Sequence, residues 1–448
     1  MPPQQRRRGS RGKRVPPPPS PPQGLPSPPS PPAAATSALP GRRLVLLAIG
    51  AIVATIAIGA GLFTVFRTDT SVASCDPDRS GWNGAGGGPQ QLGVASGGIH
   101  DPGRGWAPSW SYPPPSAPAS DRVTAPPAVS NGTVYTATDT GTLVAISAAS
   151  GARQWSSDPL GAEQGKVGVP IAVDGCGAAV GTSFQSSSGE PAGALRAVDL
   201  RSHQRRWGVQ VADEVVSPPE IVDGVAYAGL SFATAAGSLD RTHVLDGYQL
   251  SDGVNAYRKR FTAAVFASPA SDHTRIWIGD LDQNLYALGT KGKQLWTYTT
   301  HGIITLPAMY DGNNVVVASA DHSVAALDPG SGRLHWSVDV GEVQAPMAES
   351  SGVVLAADVS GTVHALAVAD GSERWHADLG ARVSRAVVAA GDRVFVIDDD
   401  GLLHVLDVGT GKETASWTAP APATGSPAIA AGHLYVACQN GRLYALPL

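Results

Sequence analysis

The chain has 448 residues, about three times a typical single-domain length, so one small domain is excluded unless repeats fill it. Apolar residues make up 42% and charged residues 15%, with 53 glycines and 37 prolines, which excludes wholesale disorder and a helical bundle. Nine of the 32 basic residues precede Asp69 and no acidic residue does, leaving 23 basic against 37 acidic residues afterwards. This acidic body argues against nucleic-acid binding, because phosphate neutralisation needs Lys or Arg.

Residues 1–43 read as a disordered cytoplasmic tail. They contain fourteen prolines, in runs such as Pro16–Pro19, between two clusters of basic residues. Such a segment cannot bury enough apolar surface to offset its ordering entropy, so we expect an extended, solvated chain. A ligand for a proline-recognising domain is the alternative interpretation of the same composition.

Residues 44–66 are predicted to be a transmembrane helix. They form an uncharged run of 23 residues, which as a helix is about 34 Å long and can cross a bilayer core. Eight basic residues precede the run, so the positive-inside rule predicts a single-pass plasma-membrane protein with a cytoplasmic N-terminus. The rest would be extracellular or periplasmic. A cleavable signal peptide and lipidation at Cys75, in Val72–Cys75, are the alternatives.

Residues 67–105 are rich in glycine and are predicted to be a flexible linker. The chain has three cysteines, Cys75, Cys176 and Cys438, with no C-x-x-C pair, which disfavours zinc ribbons and thioredoxin-like chemistry. One disulfide, for instance Cys176 with Cys438, and buried free thiols are both compatible with this pattern.

From Trp106 onward one unit recurs. Each copy has three short apolar runs separated by turns rich in Gly, Asp and Ser, then an aromatic anchor after a Gly-containing turn. The anchors are spaced 39 to 52 residues apart: Trp155, Trp207, Tyr257, Trp296, Trp336, Trp375 and Trp417. A period near 40 with several β-runs per unit is typical of a propeller with four-stranded blades.

The count of first strands predicts eight blades. Their starts lie near Pro126, Pro170, Pro218, Pro269, Pro307, Pro346, Arg385 and Pro427, but only seven have an anchor after them. Trp110 precedes the first unit and is the natural donor of the missing fourth strand. Because an open ring would leave a strand edge exposed, we predict an all-β, eight-bladed propeller over residues 106–448, closed by the strand around Trp110.

One turn carries a family resemblance. The segment from Ala326 through Asp328, Ser331 and Gly332 to Trp336 resembles the tryptophan-docking motif of the quinoprotein-like (PQQ-binding-like) β-propellers, Ala-x-Asp-x-x-Thr-Gly-Lys-x-x-Trp. Other copies match in part; one has His203 in place of the Gly. The resemblance implies a structural docking role for the anchors: Trp110, Trp155, Trp207, Tyr257, Trp296, Trp336, Trp375 and Trp417.

The chain also resembles the propeller lipoprotein of the outer-membrane barrel-assembly machine. This resemblance implies a membrane-anchored, non-enzymatic binding or scaffold module at the cell envelope, with a protein, peptide or glycan ligand. We expect its binding face to contain the loops after the first and third strands, together with the insertion Gln185–Gly193.

Two alternative functions remain: a PQQ-dependent quinoprotein oxidoreductase, and a sensory module coupled to cytoplasmic partners through the Pro-rich tail. The related dehydrogenases typically have an adjacent Cys-Cys pair and a Ca²⁺ site, and no two cysteines are neighbours here. We therefore assign no catalytic, cofactor or metal residue. The run Asp398–Asp400 is read as a turn, and His364 and His404 as strand positions in preference to a paired-His site.

Overall fold

The computed structural model describes residues 87–88, 91, 93–95, 106–113, 121–158, 171–185, 191–211, 214–215, 217–233 and 241–448. All of them belong to the second of two units of the chain, Thr70–Leu448. They form eight sheets, each containing four antiparallel strands. The predicted all-β fold with eight four-stranded blades is confirmed.

Two short strands, β1 (Val94–Ala95) and β2 (Trp110–Tyr112), precede the first blade. Blade 1 consists of β3 (Ala128–Ser130), β4 (Thr133–Ala137), β5 (Leu143–Ser147) and β6 (Arg153–Ser156). Blade 2 consists of β7 (Ala172–Asp174), β8 (Gly177–Gln185), β9 (Pro191–Asp199) and β10 (Arg205–Val211). After β11 (Glu214–Val215), blade 3 consists of β12 (Glu220–Val222), β13 (Val225–Ala233), β14 (Arg241–Gln249) and β15 (Asn255–Phe261). Blade 4 consists of β16 (Ala270–Ser271), β17 (Arg275–Gly279), β18 (Asn284–Gly289) and β19 (Gln294–Thr299).

The remaining blades repeat the arrangement. Blade 5 consists of β20 (Met309–Tyr310), β21 (Val315–Ala318), β22 (Ser323–Leu327) and β23 (Leu334–Asp339). Blade 6 consists of β24 (Ala348–Ser350), β25 (Val353–Ala357), β26 (Thr362–Ala367) and β27 (Glu373–Asp378). Blade 7 consists of β28 (Val388–Ala390), β29 (Arg393–Ile397), β30 (Leu402–Asp407) and β31 (Glu413–Thr418). Blade 8 combines β32 (Ala428–Ala430), β33 (His433–Cys438) and β34 (Arg442–Pro447) with β2.

The pairing of β2 with β34 closes the ring. The two strands are antiparallel, with Trp110 opposite Ala445 and Tyr112 opposite Leu443. The Trp106 indole N–H adds a hydrogen bond of 2.7 Å to the Pro447 carbonyl oxygen. The prediction that the strand around Trp110 completes the last blade is therefore confirmed, and this pairing covers what would otherwise be a free sheet edge.

The hydrophobic core lies between neighbouring blades. Strands in the middle of a blade are buried on both faces, as in β25, whereas the outermost strand alternates between exposed and part-buried positions, as in β27. One core cluster joins Tyr135 and Leu143 of blade 1 to Val180 of blade 2. Burying a Leu or Val side chain completely stabilises the folded protein by about 1.5–3 kcal/mol. Because the residues of this cluster come from both blades, their burial stabilises the two blades together.

The strand directions define two faces of the propeller. We label the strands of a blade A to D in chain order, so the A–B and C–D turns lie on one face, the CD face. The B–C turns and the connections between blades lie on the opposite face, the BC face. The predicted insertion Gln185–Gly193 lies between strands B and C of blade 2, and its described ends Gln185 and Pro191 pair with each other. These ends lie on the BC face, not on the face of the loops after the first and third strands.

Two features bear on the N-terminal predictions. Val94–Ala95 forms strand β1 inside the segment predicted to be a linker. Within the described ranges, we find no helix whose length and apolarity would let it cross a membrane. The predicted tail (1–43) and transmembrane helix (44–66) lie outside the described residues.

The state of the cysteines differs from the Cys176–Cys438 disulfide that was one of the expectations. Cys176 is disulfide-bonded, whereas Cys438 is a buried free thiol. A bridge between Cys176 and Cys438 is therefore wrong, because Cys438 is enclosed in the closure core of blade 8. Cys75 lies outside the described residues.

Candidate functional site

The aromatic anchors of the D strands lie against the C–D turn of the next blade. Trp336 is typical: its indole N–H donates to the Val368 carbonyl oxygen at 2.9 Å. Gly371 has a φ of +74°, and a Cβ there would lie 2.7 Å from the Trp336 ring. The same two contacts recur for Trp110 (Ala148 O, 3.0 Å; Gly151), Trp207 (Leu250 O, 3.0 Å; Gly253), Trp296 (Pro329 O, 3.1 Å; Gly332) and Trp375 (Val408 O, 2.8 Å; Gly411). Each indole thus donates its N–H to the neighbouring blade and packs its apolar face against it. These anchors are therefore unavailable to a ligand.

The other three anchors reach their neighbours differently. Trp155 stacks on His203 at 4.3 Å, and His203 has a φ of 62° where the motif has Gly. Tyr257 lies 3.9 Å from the position of a Cβ on Gly292 of blade 4. Trp417 packs against Tyr444 of blade 8, with the ring centroids 5.8 Å apart. All eight sequence-predicted anchors therefore face a following blade.

The structure does not bring His364 and His404 together as a paired site. His364 Nδ1 lies 2.8 Å from Glu373, and the same carboxylate reaches His376 Nδ1 at 3.4 Å. His404 is 4% exposed and lies 3.5 Å from the Asp398 carboxylate within its own blade. Each imidazole therefore pairs with carboxylates of its own sheet.

The Asp398–Asp400 run forms a turn. One Asp398 carboxylate oxygen accepts the Leu402 N–H at 2.8 Å, and Asp399 accepts a hydrogen bond of 2.5 Å from the Ser384 hydroxyl. Asp358 holds the corresponding turn of blade 6 in the same way. Among the residues that the structure describes, no group of three His, Cys, Asp or Glu side chains converges as a metal site.

The BC face is raised at blades 2 and 3. Their central hairpins, β8–β9 and β13–β14, each pair through nine residues, compared with four to six in the other blades. At about 3.4 Å per residue, the three to five extra pairs extend these hairpins about 10–17 Å beyond the others. Strand β11 pairs with β13 at Ser231 and Leu230 and adds a further strand beside the second of these hairpins. We call the projecting parts of β8–β9 and β13–β14 the wall.

Next to the wall, the BC face exposes two large apolar side chains. Phe266 and Ile303 are 41% and 40% exposed and lie on the connections that enter blades 4 and 5. A cleft of about 340 Å³ adjoins Ile303, and its lining includes Leu306, Glu342 and Gln344. We call these five residues the BC patch. Exposed apolar residues rimmed by polar groups are typical of protein-interaction surfaces.

The polar rim of the BC patch is preorganised. Glu342 accepts a hydrogen bond of 2.6 Å from the Gln344 amide, whose oxygen accepts one from Arg382. Burial opposes ionisation of Asp321, but hydrogen bonds from Ser319, Ser323 and the His301 N–H outweigh it and lower the pKa of Asp321 to about 2. The apolar floor is therefore bordered by fixed polar groups, including a charged carboxylate.

Sequence reasoning missed the BC patch, although the repeats carry a signal for it. The position of Ile303 is equivalent to that of five residues in other blades, because the carbonyl of each accepts a hydrogen bond from the adjacent B–C turn: Arg122, Ala264, Glu342, Arg382 and Pro422. Three of these five residues are charged, and only Ile303 among the six is a large aliphatic residue. Only an alignment of the inter-blade connections, which the period near 40 does not itself provide, exposes this difference.

Comparison with known proteins gives one consistent picture. A family model, PQQ_2, described as "Outer membrane protein assembly factor BamB", matches residues 107–223, 191–359 and 320–448. An outer membrane protein assembly factor BamB of Moranella endobia is 25% identical over 335 residues, covering 71% of this chain and 84% of that protein. The expected resemblance to the quinoprotein-like propellers is confirmed.

The solved structures that resemble this chain share its fold, and at their low sequence identity they show nothing beyond the fold. The BamB structure from Moraxella catarrhalis has a TM-score of 0.60 at 17% identity and covers 77% of this chain and 100% of that chain. A quinohemoprotein alcohol dehydrogenase from Comamonas testosteroni has a TM-score of 0.66 at 13% identity, covering 82% of this chain and 80% of that chain. The same fold therefore serves an assembly factor and an oxidoreductase.

Proposed function

This chain belongs to the PQQ_2 family, described as outer membrane protein assembly factor BamB, and we propose that it is a non-enzymatic scaffold that binds an envelope protein. The BC patch is the observation that carries this proposal. It combines exposed Phe266 and Ile303, a cleft of about 340 Å³ and a hydrogen-bonded polar rim on a rigid ring. A protein ligand is favoured over a glycan because the most exposed large side chains of the patch, Phe266 and Ile303, are aromatic and aliphatic.

We also propose that the propeller is held at the plasma membrane. The uncharged run 44–66 and the basic residues before it support a single span with the N-terminus in the cytoplasm. The propeller is then extracellular or periplasmic, and the BC patch is offered to a partner within the envelope. We therefore propose two partners for the chain: the membrane, through the single span, and an envelope protein, through the BC patch.

We propose that the chain works without a quinone or Ca²⁺, despite its likeness to quinohemoprotein structures. The adjacent Cys-Cys pair typical of those dehydrogenases has no counterpart in the sequence, where Cys176 is disulfide-bonded and Cys438 is buried. Ca²⁺ needs six or more oxygen ligands, and the carboxylates of the Asp398 turn are already bound to their own backbone and neighbours. The donor set for the cofactor is therefore missing from the residues described.

Site-specific photocrosslinking in native membranes tests the scaffold proposal. A photoreactive amino acid at position 266 or 303 should give a discrete protein adduct, identifiable by mass spectrometry. Val254 and Leu334 are matched controls, because they are 59% and 42% exposed but lie at C–D turns on the other face. We expect no discrete adduct from either control position.

Two results would contradict the proposal. Adducts at 254 and 334 with none at 266 and 303 would place the partner on the CD face. Purified protein that binds the quinone as a visible chromophore and oxidises an alcohol or sugar would replace the scaffold with an oxidoreductase.

A further inference from the structure

A short segment of the chain lies inside the ring of blades. Strand β1 pairs in parallel with β28, the innermost strand of blade 7, with Val94 opposite Ala389 and Ala95 opposite Ala390. The Ala389 N–H donates to the Gly93 carbonyl oxygen at 2.8 Å. Because the other edge of β28 pairs with β29, β1 occupies the edge that faces the central channel.

Gly93 fits between the innermost strands of two blades. Its φ is +61°, and a Cβ there would lie 2.9 Å from the Met347 carbonyl oxygen and 3.1 Å from the Val387 carbonyl oxygen. Both atoms belong to backbone that cannot swing away as a flexible side chain could. Glycine is therefore required at this point for two separate reasons, its backbone conformation and the close approach.

The other end of the segment is held on the far side of the channel. The Gln91 amide donates to the Glu220 carboxyl group at 2.9 Å, and the two residues are 3% and 1% exposed. Glu220 begins the A strand of blade 3, whereas β28 belongs to blade 7. In a ring of eight these blades lie opposite each other, so Gln91 contacts one wall of the channel and residues 93–95 lie against the opposite wall.

Glu220 is the one acidic residue among eight equivalent positions. Judged by its pairing across the A–B hairpin, the same position holds Ala128, Ala172, Ala270, Met309, Ala348, Val388 and Ala428 in the other blades. A buried carboxyl group at an otherwise apolar position is costly unless it has a partner. Its side-chain partner is the amide of Gln91.

We propose that the inner edge of β28 and Glu220 together form a strand-addition site for an extended peptide of the type Gln-x-Gly-x-x, occupied in cis by the described residues 91 and 93–95. The segment acts as a strap held at both walls of the central channel, and another extended peptide can pair with this edge of β28 only when the strap leaves. Backbone pairing with β28 supplies affinity, while Gly93 and Gln91 supply selectivity. The site is independent of the BC patch.

Hydrogen exchange on the full-length protein tests the strap. Gly93→Ala should speed exchange at the Ala389 amide about tenfold or more, because that amide loses its acceptor. Gly132→Ala is the matched control: Gly132 has a φ of +70° but nothing lies within 4 Å of a Cβ there. Gly132→Ala should leave the exchange rate of the Ala389 amide unchanged. Equal exchange at Ala389 in wild type and Gly93→Ala would overturn the proposal.

Two further measurements cover the case in which Gly93→Ala perturbs the whole ring. Gln91→Ala removes one hydrogen bond and no backbone contact, and it should still speed exchange at Ala389 several-fold; no change would overturn the wall-to-wall strap. A synthetic peptide of residues 89–97, added to Gly93→Ala, should restore protection at Ala389. Failure to restore it at millimolar peptide would overturn the strand-addition site.

Discussion

Replacing Glu220 with Gln should stabilise the protein at pH 8 and change its stability little at pH 5. Glu220 is 1% exposed, and burial raises the pKa of its carboxyl group from 4.5 to about 8. Between these two values the folded protein keeps a proton that the unfolded chain has released. The free energy of unfolding therefore falls as pH rises through this window, and the favourable contribution is fully present only below pH 4.5.

The size of the effect follows from the pKa difference. One pKa unit corresponds to about 1.4 kcal/mol, so the wild type should lose roughly 3 kcal/mol by pH 7 and roughly 4 kcal/mol by pH 8 relative to pH 4.5, because the folded carboxyl group is itself half ionised at pH 8. Gln keeps the shape of the side chain and an acceptor for the Gln91 amide but cannot ionise. The negative charge of Asp174 acts in the same direction on Glu220 as burial does.

Urea unfolding of both proteins at pH 5, 6, 7 and 8 measures this difference directly, because the other titrating groups cancel between them. The stability gap in favour of Glu220→Gln should widen by about 1.0 to 1.4 kcal/mol per pH unit, with the smallest increment between pH 7 and 8. A gap that stays constant with pH, or one that favours the wild type at pH 8, would refute the reasoning.

Three further outcomes are expected. Gly332→Ala should destabilise the protein by about 2 kcal/mol more than Gly432→Ala, because both glycines have a φ near +70° but only Gly332 abuts an indole ring; urea midpoints compare the two. Trp110→Ala should cost about 3–5 kcal/mol and expose the edge of β34, seen as faster amide exchange at Ala445; unchanged exchange there would argue against closure by this strand. Burial raises the pKa of the Cys438 thiol to about 12, so a thiol reagent at pH 8 should modify it only after unfolding; rapid labelling of the folded protein would contradict its burial.

The ring itself was predictable because its determinants are local and repeated. The anchors from Trp296 to Trp417 mark each C–D turn, and the surplus of first strands over anchors identifies Trp110 as the closing strand. Even the departures have local causes: His203 adopts the backbone conformation of the missing glycine and stacks on Trp155.

The contacts inside the channel and on the BC face could not be predicted in this way. Gln91 and Glu220 are 129 residues apart, and Gly93 meets the backbone of blades 6 and 7, so no short-range pattern connects them. The same holds for Cys438, whose burial depends on a blade assembled from both ends of the domain. Tertiary packing decides these features, and a repeat period carries no information about them.

The most direct test of the scaffold account compares the affinity of the crosslinked partner for two paired variants of the full chain. Phe266→Ser with Ile303→Ser removes the apolar centre of the BC patch, and Val254→Ser with Leu334→Ser removes similar exposed area from the other face. Losing about 2 kcal/mol of apolar contact should weaken binding by about 30-fold for the first pair. The second pair should bind as the wild type does. Equal affinities for both pairs, or weaker binding of the second pair alone, would contradict the account.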